Sequence, residues 1–222
     1  MKWNVIDSGA LSAEENMEYD RQLLETAKEP TLRFYEWASP SATVGYFIKK
    51  ERFFRPDAPI DIAKRPTGGG IIFHGNDLTF TVFLPVGHPW NTDNPLINYS
   101  YINGAILKAL QASHLPIQIL SSSLVNPENS QKDFCMANPT HYDLLLNGKK
   151  IGGAAQRQKK NRGLIQQTSL SIGPPNLDLI EKSLINPEST IQAIINCSGY
   201  LRPLITKDET SLLKTKITNN FY

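Results

Sequence analysis

The chain has 222 residues, 40% of them hydrophobic and 20% charged, with a formal net charge of +2 at pH 7. That length suits one sizeable core, and the near-neutral balance argues against a nucleic-acid coat or a membrane-surface role. No apolar run approaches the ~20 residues that span a bilayer, and the stretch from Met1 to Asp7 has no signal-peptide core, so a cytoplasmic location is expected. Cys135 and Cys197 form neither a disulfide framework nor a metal-ligand cluster, and Cys197, in an apolar run, reads as a small buried hydrophobe.

Taken in chain order, Ala13 to Ala27 reads as a helix capped by Ser12, with Glu14 and Glu15 at its positive end. Leu32 to Trp37, Thr43 to Phe47 and Ile62 to Arg65 read as strands. Gly70 to Phe73 and Leu78 to Leu84 suggest a hairpin across Gly75-Asn76-Asp77. Tyr99, Ile102, Ile106, Ala109 and Leu110 recur at helical spacing, predicting a helix over Pro95 to His114. Ser121 to Ser130 is polar and weakly patterned, the best candidate for a mobile loop. Tyr142 to Leu146 and Lys150 to Ala155 form a second hairpin turned at Asn147-Gly148, and Leu164 to Ile172 is a further strand. Short helices follow over Asn176 to Ile185, Ser189 to Ile195 and Glu209 to Lys216. Strands in runs with helices between them imply an α+β fold.

Two segments carry chemistry. Gly68, Gly69 and Gly70 follow Arg65 and precede an apolar β-branched run that ends at Phe73-His74. Three consecutive glycines lose much backbone entropy on folding, so close approach to the backbone or positive φ is implied. Arg65 beside such a loop suits a phosphate or carboxylate. The second segment, Gly148 to Gln156, sets Lys149 and Lys150 beside Gly152, Gly153, Ala154 and Ala155.

Together, in this order, the two segments resemble the lipoate–protein ligase and octanoyltransferase family, whose catalytic fold is shared with biotin–protein ligase. The resemblance runs from about Ile6 to Ile172 and includes Asn16, Met17 and Asp20 and the strands around Leu32–Trp37 and Val44–Phe47. It implies a single α+β catalytic domain over residues 1–222, with a central mixed or antiparallel sheet packed by helices and without the large C-terminal accessory domain of many ligases. Biotin ligase fits less well, because the Arg65 region lacks a Gly-Arg-Gly-Arg pattern. The glycine loop would bind the activated acyl group through backbone N–H groups. Lys150 would stabilise negative charge developing on the acyl carbonyl. Gly152, Gly153 and Ala154 would line a slot for the alkyl chain, each buried CH₂ contributing about 0.8 kcal/mol. His74 would either orient the loop or assist proton transfer. Many members place Asp directly after this His; here Gly75-Asn76-Asp77 follows, so no acidic role is carried onto Asp77.

The resemblance implies an octanoyl or lipoyl group transferred to a lysine of lipoyl domains, those of 2-oxoacid dehydrogenases or the glycine cleavage H protein. Cys135 lies fifteen residues before Lys150, as in the Cys-dependent octanoyltransferases. There the thiolate takes the acyl group from acyl-carrier protein as a thioester, with no cofactor. The unbroken Gly68–Gly70 run is instead ligase-like, which would call for ATP and Mg²⁺. A non-catalytic acyl- or carrier-protein-binding module is the third reading. None of the three calls for nucleic acid, a membrane or a resident metal.

Overall fold

The computed structural model describes residues 2–120, 141–202 and 204–222. Its elements in chain order are β1 (Asn4–Leu11), α1 (Ala13–Thr26), β2 (Thr31–Trp37), β3 (Ser41–Val44), a 3-10 turn (Lys50–Arg52), β4 (Asp61–Lys64), β5 (Ile71–His74), β6 (Asp77–Leu84), α2 (Pro95–Gln111), β7 (Ile117–Ile119), β8 (Leu144–Leu146), β9 (Lys149–Lys150), β10 (Gly152–Lys159), β11 (Gly163–Ser171), α3 (Leu177–Ser183), α4 (Glu188–Cys197) and α5 (Lys207–Asn219). Ser12 and Glu15 close a capping box on α1, and Asn94 caps α2 ahead of its N-terminal Pro95.

Five strands form the large sheet in the order β1-β2-β6-β11-β10. β1 runs parallel to β2 and the other pairs are antiparallel, so the sheet is mixed, as the family resemblance implies. Small sheets β4-β3-β5 and β7-β8-β9 flank it. One face of the large sheet packs on α2 and α5: Leu32, Phe34, Phe80, Val82, Leu164 and Leu170 join Ile102, Ile106, Leu213 and Ile217 in the main core. β4-β3-β5 builds a second core with α3 and α4, through Val44, Ile71, Ile180, Leu184 and Ile194.

Several expectations change. The segments around Gly75-Asn76 are strands but not a hairpin: β5 pairs with β3, while β6 pairs with β2 and β11. The link carries the chain between sheets because β6, apolar on one face and polar on the other, belongs at the centre of the large sheet. The strand expected over Thr43 to Phe47 ends at Val44, where the chain turns and Ile48 N–H donates to the Gly45 carbonyl at 2.9 Å. At Asn147 and Gly148 the hairpin turn is present, with φ of 50° and 76°, the positive pair that a type I′ turn needs. Its second strand stops at Lys150, and the chain then crosses into the large sheet as β10. Cys197 ends α4 only half-buried. Ser121 to Ser130 lies outside the described residues.

Candidate active site

The second face of the large sheet is buried yet polar. Phe34, Phe80, Leu164 and Leu170 enter the main core. Strand alternation therefore places Arg33, Tyr35, Thr79, Thr81, Gln167 and Ser169 on the other face, and all six are buried. Buried polar groups are costly unless bonded. Here Arg33, Tyr35, Thr81 and Gln167 join one network on Asp20, and Thr79 and Ser169 bond Asp77. Arg33 donates to Asp20 Oδ1 at 2.8 Å and to Asn16 Oδ1 at 2.6 Å. Asp20 Oδ2 accepts from Thr81 Oγ1 at 2.7 Å and from Gln167 Nε2 at 2.6 Å. Gln167 Oε1 accepts from Thr67 Oγ1 at 2.6 Å, so the Asp20 network ends in the glycine loop. Burial raises the Asp20 carboxyl above its ordinary range, against the pull of Arg33.

Arg65 is buried beneath that loop. Its guanidinium donates to the carbonyls of Thr43 at 3.0 Å, Gly68 at 2.9 Å and Gly70 at 2.6 Å. Arg65 was expected to clamp a ligand anion; these donors instead shape the loop, although the side chain also lines the cleft. Gly69 has φ of +87°, and a Cβ at Gly45 would lie 1.9 Å from the Gly69 carbonyl oxygen. A Cβ at Gly68 would meet nothing within 4 Å.

His74 sits where two clefts adjoin. Its Nδ1 bonds Asp77 Oδ2 at 2.7 Å, its Nε2 bonds Thr43 Oγ1 at 2.8 Å, and its ring stacks on Trp37 with centroids 4.0 Å apart. Asp77 also accepts from Thr79 and Ser169 hydroxyls, each at 2.7 Å, and from the Gly75 N–H at 3.0 Å. Burial pushes the Asp77 carboxyl up, but His74 and these donors outweigh it and hold it below the usual carboxylate range. Asp77, onto which no acidic role is carried from the sequence, is thus the partner of His74. One cleft is lined by Met17, Tyr35, Trp37, Arg65, Ala155 and Gln167. The other is lined by Phe73, Asn76, Ser171, Ala193, Ile194 and Tyr200. They share Ile72 and Ser169.

The lysine hairpin stands at one end of the cleft-forming strands. Leu144 and Leu146 enter the main core, so Leu145 and Lys150, directly paired with it, point away. Lys150 is only 3% exposed and its Nζ lies 2.7 Å from Asp143 Oδ2. Lys149 is exposed and donates to the Ile195 carbonyl at 3.3 Å.

The small residues after Lys150 divide between two faces. Ala155 pairs with Gln167 and Gly153 with Ser169, which puts both on the cleft side. Gly152 does not line a slot: a Cβ there would come within 2.9 Å of both the Leu170 side chain and the Ser169 carbonyl. Ala154 shares its parity, so of the three small residues expected to line a slot, Gly153 alone is on the cleft side, with Ala155 two residues on. Cys135 is outside the described residues. Sequence reasoning missed Asp143, Trp37, Thr67 and Gln167 as parts of the site. For Gln167 the signal was the polar run Gln166 to Ser169 inside an otherwise apolar strand, whereas Asp143, Trp37 and Thr67 carried none.

The family model described as the lipoyl protein ligase A/B catalytic domain matches residues 12–207. Octanoyltransferase LipM of Bacillus subtilis (strain 168) is 33% identical over 199 residues, 83% of this chain and 68% of that protein. Octanoyltransferase LipM of Anoxybacillus flavithermus is 31% identical over 177 residues, 74% of this chain and 63% of that protein. The chain thus spans about two thirds of the length of these relatives. Among solved structures, the bi-partite lipoate protein ligase of Thermoplasma acidophilum, analysed with its E2 lipoyl domain, has a TM-score of 0.76 at 19% identity, covering 100% of this chain and 82% of that one. Lipoate-protein ligase A bound with ATP gives 0.73 at 20% identity, covering 100% and 84%. At these identities the structures share the fold.

Proposed function

Because this chain belongs to the lipoyl protein ligase A/B catalytic-domain family, we propose that it moves an octanoyl or lipoyl group onto the ε-amine of a lysine in a lipoyl domain. The observation that carries this reading is Lys150: a buried cation turned away from the core and fixed by Asp143, on the hairpin that runs into the cleft-lining strand β10. There it suits a carbonyl oxygen on which negative charge develops. The acyl chain would lie in the cleft between Trp37, Met17 and Ala155, each CH₂ removed from water contributing about 0.8 kcal/mol.

The preferred route uses the Cys135 thiolate and an acyl-carrier protein donor. The thiolate attacks the donor thioester carbonyl and the carrier thiolate leaves, taking up a proton. The lysine amine then attacks the acyl-Cys135 carbonyl, and Cys135 leaves as the amine gives up its proton. One thioester replaces another, so no ATP enters. Among the described residues of the second cleft, Asp77 is the one charged side chain, already engaged by four donors. Such a lining suits an uncharged thioester arm better than a triphosphate. The acceptors proposed are lipoyl domains of 2-oxoacid dehydrogenases or the glycine cleavage H protein.

The observation favouring the ATP- and Mg²⁺-dependent ligase route is the glycine loop, whose Gly68 leaves open space beside the backbone. Intact-mass spectrometry separates the routes. With octanoyl-carrier protein, an octanoyl adduct should form, be removed by hydroxylamine and be absent in Cys135→Ser, which should also stop transfer. Full ATP-dependent lipoylation by Cys135→Ser, with no adduct on the wild type, would establish the ligase route instead.

A further inference from the structure

Outside the clefts, the turn after β3 stands apart from the rest of the surface. It leaves Phe47 87% exposed and Tyr46 46% exposed, with their rings edge to face. Such exposed aromatic area does little for the fold and is characteristic of recognition surfaces. The residues that follow are basic. Lys49, Lys50, Arg52 and Arg55 outnumber the single anion Glu51 between positions 46 and 55.

A second basic strip meets the first. Residues 157–162 hold Arg157, Lys159, Lys160 and Arg162 and no anion. The Arg157 guanidinium lies 4.8 Å from the Tyr46 ring centroid and donates to the Pro66 carbonyl at 3.1 Å. Lys159 and Arg162 also reach Glu25. With a net charge of only +2 overall, the rest of the chain is net acidic, so positive charge is concentrated on these two strips. Their position matters. Tyr46 N–H donates to the Thr67 carbonyl at 2.9 Å, and Gly45 N–H to the Gly70 carbonyl at 3.2 Å, so the aromatic turn is tied to the glycine loop.

We propose that this basic rim centred on Phe47 and Tyr46 is the docking surface for the acceptor domain, engaging carboxylates that flank its target lysine. The proposal rests on the transfer reading above. A basic rim repels an approaching lysine, so the acceptor that fits must carry acidic residues around it. Both routes to an activated acyl group end on that acceptor, whereas a carrier-bound donor serves only one of them. A charged rim of this kind governs association rate and orientation more than chemistry, and its effect is screened by salt.

The test compares acceptors with a small octanoyl thioester as donor, and then that donor with octanoyl-carrier protein, in wild type, in Phe47→Ala and in the triple charge reversal Lys49→Glu, Lys50→Glu, Arg52→Glu. The charge reversal is expected to raise the KM for a lipoyl domain at least tenfold and to flatten the salt dependence seen in the wild type. Phe47→Ala should raise that KM less and keep the salt dependence. Transfer to hydroxylamine, a small acceptor, should be unchanged in both. An unchanged KM for the lipoyl domain, an equal loss toward hydroxylamine, or a rise in KM confined to a carrier-bound donor would overturn the docking assignment. A wild type that acylates no lipoyl domain from any donor would remove the transfer reading, and this inference with it.

Discussion

The glycine loop and the lysine hairpin, the two halves of the proposed site, are built by opposite means. The loop offers backbone, and a buried network holds it from beneath: Arg65 grips its carbonyls, and Thr67 ties it through Gln167 and Asp20 to Arg33. The hairpin offers one side chain, aimed by a two-residue turn and fixed by an ion pair with Asp143. A binding surface made of backbone needs many supports, because its shape is the function. A single ammonium needs a direction and one partner. The loop should therefore lose function through shape changes made at a distance, and the hairpin through changes at Lys150.

The largest effect is expected at Lys150. Removing one electrostatic stabiliser of this kind typically lowers the rate about 10²–10³-fold. Lys150→Ala should do so in acylation assays by either route, while exposed Lys149→Ala remains close to wild type. Equal losses for the two lysines would break the comparison, since direction would then not matter. Asp143→Asn should lower the rate less than Lys150→Ala, because the ammonium stays while its charged partner goes.

Next come two glycines that look alike in sequence. Gly45→Ala places a Cβ 1.9 Å from the Gly69 carbonyl oxygen, so the loop must move. Overpacking of this sort costs about 1–3 kcal/mol, to be read as a lower thermal midpoint together with lost acyl binding. Gly68→Ala meets nothing within 4 Å in the protein. It should fold with normal stability and lose affinity only where ligand approaches the backbone. Normal binding in Gly68→Ala would show that the loop's open side is not the ligand's side.

Support from beneath the loop is tested at Gln167. Gln167→Leu removes the link between Thr67 and Asp20, leaving both hydroxyl and carboxylate short of a partner. The expected cost is about 1–3 kcal/mol in chemical denaturation. Acyl binding should fall with it, because Gln167 both ties down the loop and lines the cleft. Stability lost with binding intact would detach the network from the loop's shape.

Much of this was legible in the sequence, and what was not has definite physical causes. The capping signal at Ser12, the Asn147-Gly148 turn and the helical spacing of α2 are local, and each lies where local chemistry puts it. β1 escaped notice because, as an exposed edge strand, its residues show no clean alternation. The supposed hairpin at Gly75-Asn76 failed because a short polar link between two strands does not reveal which sheet each strand joins. Of the proposed site, the parts read from the sequence are those carried by short runs, Gly68–Gly70 and Lys150. It was not legible where it rests on pairing: Asp143 with Lys150, Asp77 with His74, Thr67 with Gln167. The inclusion of Gly152 and Ala154, whose parity is that of the core face, has a related cause. Strand parity says which residues share a face, but only the register with Ser169 and Gln167 says which face is the cleft.

The smallest effect, and the sharpest on pairing, is expected at Asp77. Burial raises its carboxyl, but His74, the Gly75 N–H and the Ser169 hydroxyl together hold it below the ordinary range. A carboxylate whose folded value is depressed contributes stability that is fully present above its unfolded value of about 3.9. That contribution is lost as pH falls through the lower folded value. Asp77→Asn is nearly isosteric but cannot ionise, so at pH 7 it should be less stable by about 1 kcal/mol. Below about pH 4 the difference from wild type should shrink, because the wild-type carboxylate is then taking up its proton. Urea titrations at pH 7 and at several values below 4 read this directly. A gap independent of pH would mean that Asp77 contributes only its shape, and that His74 is held by Thr43 and the Trp37 ring rather than by charge.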